Sequence, residues 1–206
     1  LDYRLIQEDG LTYVSLRSFV SGTYDNMLAR YAREGAKARG SKAVIYDLRG
    51  NVGGSDSWPR KWIQSFLGTQ NSIETSMLYA QKNSALFAAE NSESLLPEDE
   101  GTCFAREVHG AWYENDIPII VLVDDHCGSS GEGAVQLLKT LDNVLIVGSN
   151  TAGYQLCGNI STFTLPYTGI GVRFSSMGTE KMSITGAMLR MSGVIRRMRL
   201  LQCWHC

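Results

Sequence analysis

Hydrophobic positions along this chain switch between two periods, and each switch marks an element. Leu1 to Gln7 and Leu11 to Leu16 alternate around the turn signal Glu8-Asp9-Gly10, which predicts a β-hairpin. Asp25 to Arg39 changes to helical spacing. Leu28, Tyr31, Ala32 and Gly35 form its inner face, with Asp25 as the expected N-cap and Gly40 as the stop. Ala43 to Tyr46 is a short apolar strand that runs into Asp47-Leu48-Arg49-Gly50-Asn51-Val52-Gly53-Gly54, and a helix is expected from Ser57 to Phe66. Ile73 to Ala80 reads as a strand, Glu90 to Gly101 as an acidic surface loop, and Cys103 to Tyr113 fits no single period.

The strongest pattern follows, between Ile117 and Leu141. Ile119 to Val123 is a short apolar run, β-branched except at Leu122, the mark of a strand covered on both faces. Asp124 and Asp125 end it, Gly128 and Gly131 allow a sharp turn, and Ala134, Leu137, Leu138 and Leu141 form a helical stripe. Val144 to Val147 predicts another strand. Ile160 to Leu165 and Ile170 to Phe174 predict a hairpin across Pro166-Tyr167-Thr168-Gly169. Beyond Ser176 alternation stops, and five of the seven Met residues fall there. The expected organisation is one core over 1–176, entered mid-domain at Leu1, and a tail over 177–206 without assigned structure. Strands alternating with helices make this an α/β chain.

Composition narrows the picture. A length of 206 residues and a formal net charge of −2 suit one sizeable core and argue against a nucleic-acid surface. No apolar run approaches the roughly 18 residues of a membrane span. Five Cys is an odd count, and thiols are the default reading in a domain of this size. Cys203-Trp204-His205-Cys206 has no second ligand pair, so neither a metal nor a cofactor is expected.

Chemistry concentrates in the two Gly-rich turns, each between a buried strand and a helix. Ser129 has two readings. Ser129-x-x-Glu132 is a capping box that stabilises a helix start by about 1 kcal/mol. A serine at such a turn is also a candidate nucleophile, because acyl transfer needs an oxygen held beside backbone N–H donors. Ser130 N–H and the Gly53–Gly54 turn are the candidate donors. A phosphate loop is the rival reading of the first turn, but G-x-x-x-x-G-K-[ST] and G-x-G-x-x-G are both absent.

Five motifs, in order over about residues 11–175, resemble the S41 serine peptidases. Tyr13-x-x-Leu16-x-x-Phe19 is similar to the family's Y-x-x-[LI]-x-x-F strand, and Asp47-Leu48-Arg49-x-Asn51-x-Gly53-Gly54 to its D-L-R-x-N-x-G-G turn. Val121-Leu122-Val123 through Ser129-Ser130-Gly131-Glu132 resembles its nucleophile segment. Val147-Gly148-x-x-Thr151-x-Gly153 resembles its V-G-x-x-T-x-G turn, and Leu165-Pro166-x-x-Gly169 the strand after it. The resemblance implies a ClpP/crotonase-like superhelix of ββα units. It also implies Ser129 as nucleophile, an oxyanion hole from Ser130 N–H and Gly53–Gly54, a peptide or protein substrate, and an extracytoplasmic location.

The departures from the family pattern concern the base. Tyr154 stands where the processing proteases carry a Lys, and the upstream D-x-H-[TS] segment of other members is absent. The expectation is a base supplied from upstream of Leu1, and little peptidase activity from this chain alone. His126, Glu132 and Tyr154 are the possible contributors within it, while Lys139, His109 and His205 read as solvated. Two alternatives stand beside the peptidase: a non-catalytic peptide- or ligand-binding module of the same fold, and an acyl-CoA enzyme that shares the oxyanion hole. The family's placement of the T-x-G turn beside the nucleophile also raises a Cys127–Cys157 disulfide as an expectation.

Overall fold

Three of the four parallel strands are apolar runs, and the sheet carries both Gly turns at the C-terminal ends of two of them. The computed structural model describes residues 2–82 and 101–180. Its first sheet has five strands: β1 (Tyr3–Glu8), β2 (Leu11–Leu16), β3 (Ala43–Asp47), β6 (Ile119–Val123) and β7 (Val144–Gly148), adjacent in that order. β1 pairs antiparallel with β2 through the predicted hairpin. β2, β3, β6 and β7 run parallel, with Val44 opposite Ile119 and Val121 opposite Ile146. Parallel neighbours need crossovers. The described helices α1 (Asp25–Ala38), α2 (Ser57–Leu67) and α3 (Ser130–Leu138) lie in those connections.

The core forms where the helices meet one face of the sheet. Val14, Leu16, Val44, Tyr46, Ile119 and Val121 point into it, as do Leu28 and Tyr31 of α1 and Trp62, Ile63 and Phe66 of α2. Trp62 stacks on Phe66 at 5.4 Å and meets Tyr46 edge-on at 4.8 Å. The hydroxyls of Tyr31 and Tyr46 hydrogen-bond to each other, so neither phenol is left unpaired in the core. α3 is buried on every side, which suits its apolar, small-residue sequence.

A second sheet has the order β5 (Cys103–Val108), β4 (Met77–Lys82), β9 (Gly171–Glu180), β8 (Cys157–Thr164), all antiparallel. The predicted closing hairpin is β8–β9. Four expectations need correction or extension. The strand expected at Ile73 to Ala80 starts later, at Met77, and Ile73 instead enters the core from the preceding extended segment. The ambiguous stretch after Cys103 is β5, which finds its pairing in β4. β9 continues past Ser176 to Glu180, because β4 pairs with its far end. Asp25 is not the N-cap of α1: Tyr24 holds that position, and Asp25 Oδ1 accepts from the Gly22 N–H at 2.9 Å. Most of the acidic loop, residues 83–100, and residues 181–206 of the tail lie outside the described residues.

Candidate active site

Asp47 begins the first turn and organises it. Its carboxylate is fully buried and accepts from Arg49 Nε (2.9 Å), Arg49 Nη2 (2.9 Å), the Arg49 N–H (3.0 Å) and Tyr13 OH (2.7 Å). Burial pushes this carboxyl up, but the bonds from Arg49, Tyr13 and Arg17 prevail and hold it well below the usual carboxylate range. Asn51, also fully buried, then fixes the turn from inside. Its Nδ2 donates to Leu16 O (2.6 Å), and its Oδ1 accepts from the Gly53 N–H (2.9 Å).

Gly53 and Gly54 are required by close approach. Both have positive φ, +94° and +139°. A Cβ on Gly53 would stand 2.7 Å from Ser129 Cβ and 2.9 Å from Ser130 N; one on Gly54 would stand 2.1 Å from the Phe19 backbone. The bridge that fixes Gly54 consists of Phe19 N–H to Gly53 O (2.7 Å) and Ser55 N–H to Phe19 O (2.9 Å). The first turn is therefore clamped between the strand end at Phe19 and the second turn.

The second turn is the start of α3. Ser129 is exposed and has φ 54°, ψ −124°, a backbone geometry that costs a non-glycine residue about 1–3 kcal/mol. Ser130 Oγ donates to Gly54 O at 2.8 Å, and Gly128 N–H to Asn51 O at 2.9 Å, so the two turns are bonded directly. The structure thus brings Ser129, Ser130, Gly53 and Gly54 together. It also distinguishes the two glycines. The Gly53 N–H is committed to Asn51, whereas the Gly54 and Ser130 N–H groups have no acceptor among the described residues.

Glu132 has a larger part than helix capping. Ser129 and Glu132 do form the capping box, with Ser129 N–H donating to Glu132 Oε2 at 3.1 Å. The same carboxylate, only 6% exposed, also accepts from Thr151 Oγ1 (2.7 Å), Gly153 N–H (2.7 Å) and Gln155 N–H (2.8 Å). One side chain therefore ties the Ser129 turn to the loop after β7. Ala152 N–H to Cys127 O, 2.9 Å, adds a further bond between them.

The remaining candidates fall on either side of this core. Tyr154 is brought close: a Cβ on Gly128, the residue before Ser129, would meet its ring carbon Cδ2 at 2.8 Å. His126 is solvent-exposed and its Nδ1 pairs with Asp125 Oδ1 at 2.8 Å. Lys139 caps the C-terminal end of α3, about 15 Å along the axis from Ser129. Asp124, Asp125 and His126 bring three potential metal ligands within 4.8 Å of one another, but two are exposed and Asp124 Oδ1 already accepts from the Gly50 and His126 N–H groups. The expected Cys127–Cys157 disulfide is not formed. Cys127 is a free, fully buried thiol whose sulfur turns into the core against Gly131. Burial first, then the nearby Glu132 and Asp124 charges, pushes it up to about 12.

Comparison with known proteins places the chain by fold and by family. No curated protein matches the sequence. Among solved structures, a lipoprotein from Streptococcus agalactiae is 18% identical, with 87% of this chain and 58% of that one covered and a TM-score of 0.51. The photosystem II D1 C-terminal processing protease is 19% identical, with 83% and 38% covered and a TM-score of 0.50. Mature CPAF is 14% identical, with 86% and 45% covered and a TM-score of 0.50. At these identities the likeness is one of fold, and this chain spans 38% to 58% of the length of these three proteins. The sequence profile of Peptidase family S41 matches residues 10–183, which include both turns, and the chain belongs to that family.

Proposed function

We propose that this chain is the core of a serine-type peptidase that cleaves peptide bonds through an acyl-enzyme on Ser129. In this reading Ser129 Oγ attacks the scissile carbonyl and the leaving amine departs with a proton. Water then releases the acyl group. The Ser130 and Gly54 N–H groups stabilise the oxyanion, and Gly53 supplies the clearance that lets the first turn stand against the nucleophile. The observation that carries the reading is an exposed serine in a strained conformation, clamped against a Gly-Gly turn with two open N–H donors beside it. An extracytoplasmic location belongs to the proposal. It is supported by the family resemblance and by the lipoprotein among the solved matches.

A second reading, a non-catalytic binding module, is favoured by one specific observation. Tyr154 stands where the processing proteases carry a Lys and His126 Nδ1 is paired with Asp125, and a serine hydroxyl is a weak nucleophile without a base. Turnover of a casein or peptide substrate separates the two. The chain is compared with Ser129→Ala and with a version extended upstream through a D-x-H-[TS] segment. The peptidase reading expects weak turnover from the chain, strong turnover from the extended version and none from Ser129→Ala. Peptide binding without turnover in every version would favour the binding module.

A further inference from the structure

The loop over Thr151–Gln155 holds a feature that oxyanion chemistry does not use. Tyr154 is 67% exposed, yet its position is fixed. The peptide N–H groups of Gly153 and Gln155, on either side of it, both end on the Glu132 carboxylate. The edge of its ring rests on Gly128, one residue before Ser129. Its hydroxyl has no hydrogen-bond partner among the described residues. An aromatic face held rigid and left in solvent beside a candidate nucleophile is available to a ligand. Two further exposed apolar side chains flank the Gly53–Gly54 turn: Val52, 65% exposed, precedes it, and Val20, 51% exposed, follows the Phe19 bridge to Gly54.

We propose that Tyr154 is a specificity-determining residue, a fixed aromatic wall that selects substrates with an aromatic or large aliphatic side chain next to the scissile bond. The inference rests on the peptidase reading and deepens it. An apolar substrate side chain leaves water against the ring, and an aromatic one gains the additional ring–ring attraction. A charged side chain loses hydration against the ring. Glycine has nothing to pack. The ring carries the selectivity rather than the phenol, so Tyr154→Phe keeps it.

The test uses the Ser129→Ala protein, in which binding is read without turnover. Fluorescein-labelled hexapeptides that differ at one central position, Phe, Leu, Gly or Asp, are titrated by anisotropy. The Phe peptide is expected to bind about tenfold more tightly than the Gly or Asp peptides. Tyr154→Ala should abolish that difference and Tyr154→Phe preserve it. Tyr154→Arg should shift the preference toward Asp, an effect that no loss of folding can imitate. Undiminished discrimination in Tyr154→Ala, its loss in Tyr154→Phe, or equal binding of all four peptides by the parent would each overturn the proposal. Covalent labelling of Ser129 by a fluorophosphonate in the version extended upstream through a D-x-H-[TS] segment shows independently whether the peptidase reading stands.

Discussion

Replacing Glu132 tests how the site is held together. Its two carboxylate oxygens each take two donors: Oε1 those of Thr151 and Gly153, Oε2 those of Ser129 and Gln155. Glu132→Gln keeps the shape but turns one oxygen into a donor. The amide does best facing Thr151, whose hydroxyl can rotate to accept, and this leaves the Gly153 N–H without a partner. One orphaned donor and the loss of charge on the other bonds cost about 2 kcal/mol. Glu132→Ala removes all four bonds and strands three backbone N–H groups. Water reaches some of them because Ser129 and Gly153 are exposed, so the cost is about 3–5 kcal/mol rather than the full sum. For a domain of this size 1 kcal/mol moves Tm by about 2–4 °C. The expected falls are about 4–8 °C for Glu132→Gln and about 6–20 °C for Glu132→Ala. Thermal melts followed by circular dichroism give these values, and fluorophosphonate labelling of Ser129 should slow in the same order. A fall below about 2 °C in Glu132→Ala would refute the reasoning, since a dispensable carboxylate cannot be what joins the two loops.

Three further outcomes follow from the same geometry. Gly53→Ala places a methyl 2.7 Å from Ser129 Cβ and 2.9 Å from backbone atoms at a positive φ; it should cost about 2 kcal/mol or more and suppress Ser129 labelling by at least about tenfold, read by melts and labelling rates. Asp47 has a folded-state pKa below its unfolded value of about 4, so its stabilisation is present above that pH and is lost as pH falls below it. Asp47→Asn should therefore be less stable at neutral pH, and its urea midpoint should change less than the wild type's between pH 5 and pH 3. Cys127, buried and held protonated, should resist iodoacetamide at pH 8 in the folded protein and react after unfolding, as peptide mapping by mass spectrometry will show.

The elements were legible where period and burial coincide. Ile119 to Val123 and the α3 stripe announced a strand and its helix, although only Ile119, Val121 and Val123 of the strand are buried and its other face is half-covered. Leu28, Tyr31, Ala32 and Gly35 are all buried as their spacing implied. The turns were legible too, because glycine and serine at a strand end leave few alternatives. What local pattern could not show was where a side chain reaches across the fold. Ser129-x-x-Glu132 signals a capping box, yet nothing nearby reveals that the same carboxylate spans to Thr151, Gly153 and Gln155. The T-x-G turn was the available signal, since its exposed N–H groups needed an acceptor. Asn51 and Asp47 stood inside a recognised motif, but their buried bonds to Leu16 and Tyr13 depend on β2 lying beside β3. Asp25 misled because its carboxylate serves the preceding turn at Gly22. The start of β4 and the end of β9 were misplaced because the two strands pair with each other across a long sequence separation.

The central claim is that Ser129 is a reactive serine, and one measurement addresses it directly. The chain extended upstream through a D-x-H-[TS] segment is treated with a fluorophosphonate, its intact mass recorded, and the modified peptide sequenced by mass spectrometry. The account predicts a single adduct on Ser129, formed faster than on any other serine, abolished by Ser129→Ala and by prior unfolding in urea. An unmodified Ser129 in folded protein, or an adduct that forms equally well after unfolding, would contradict it.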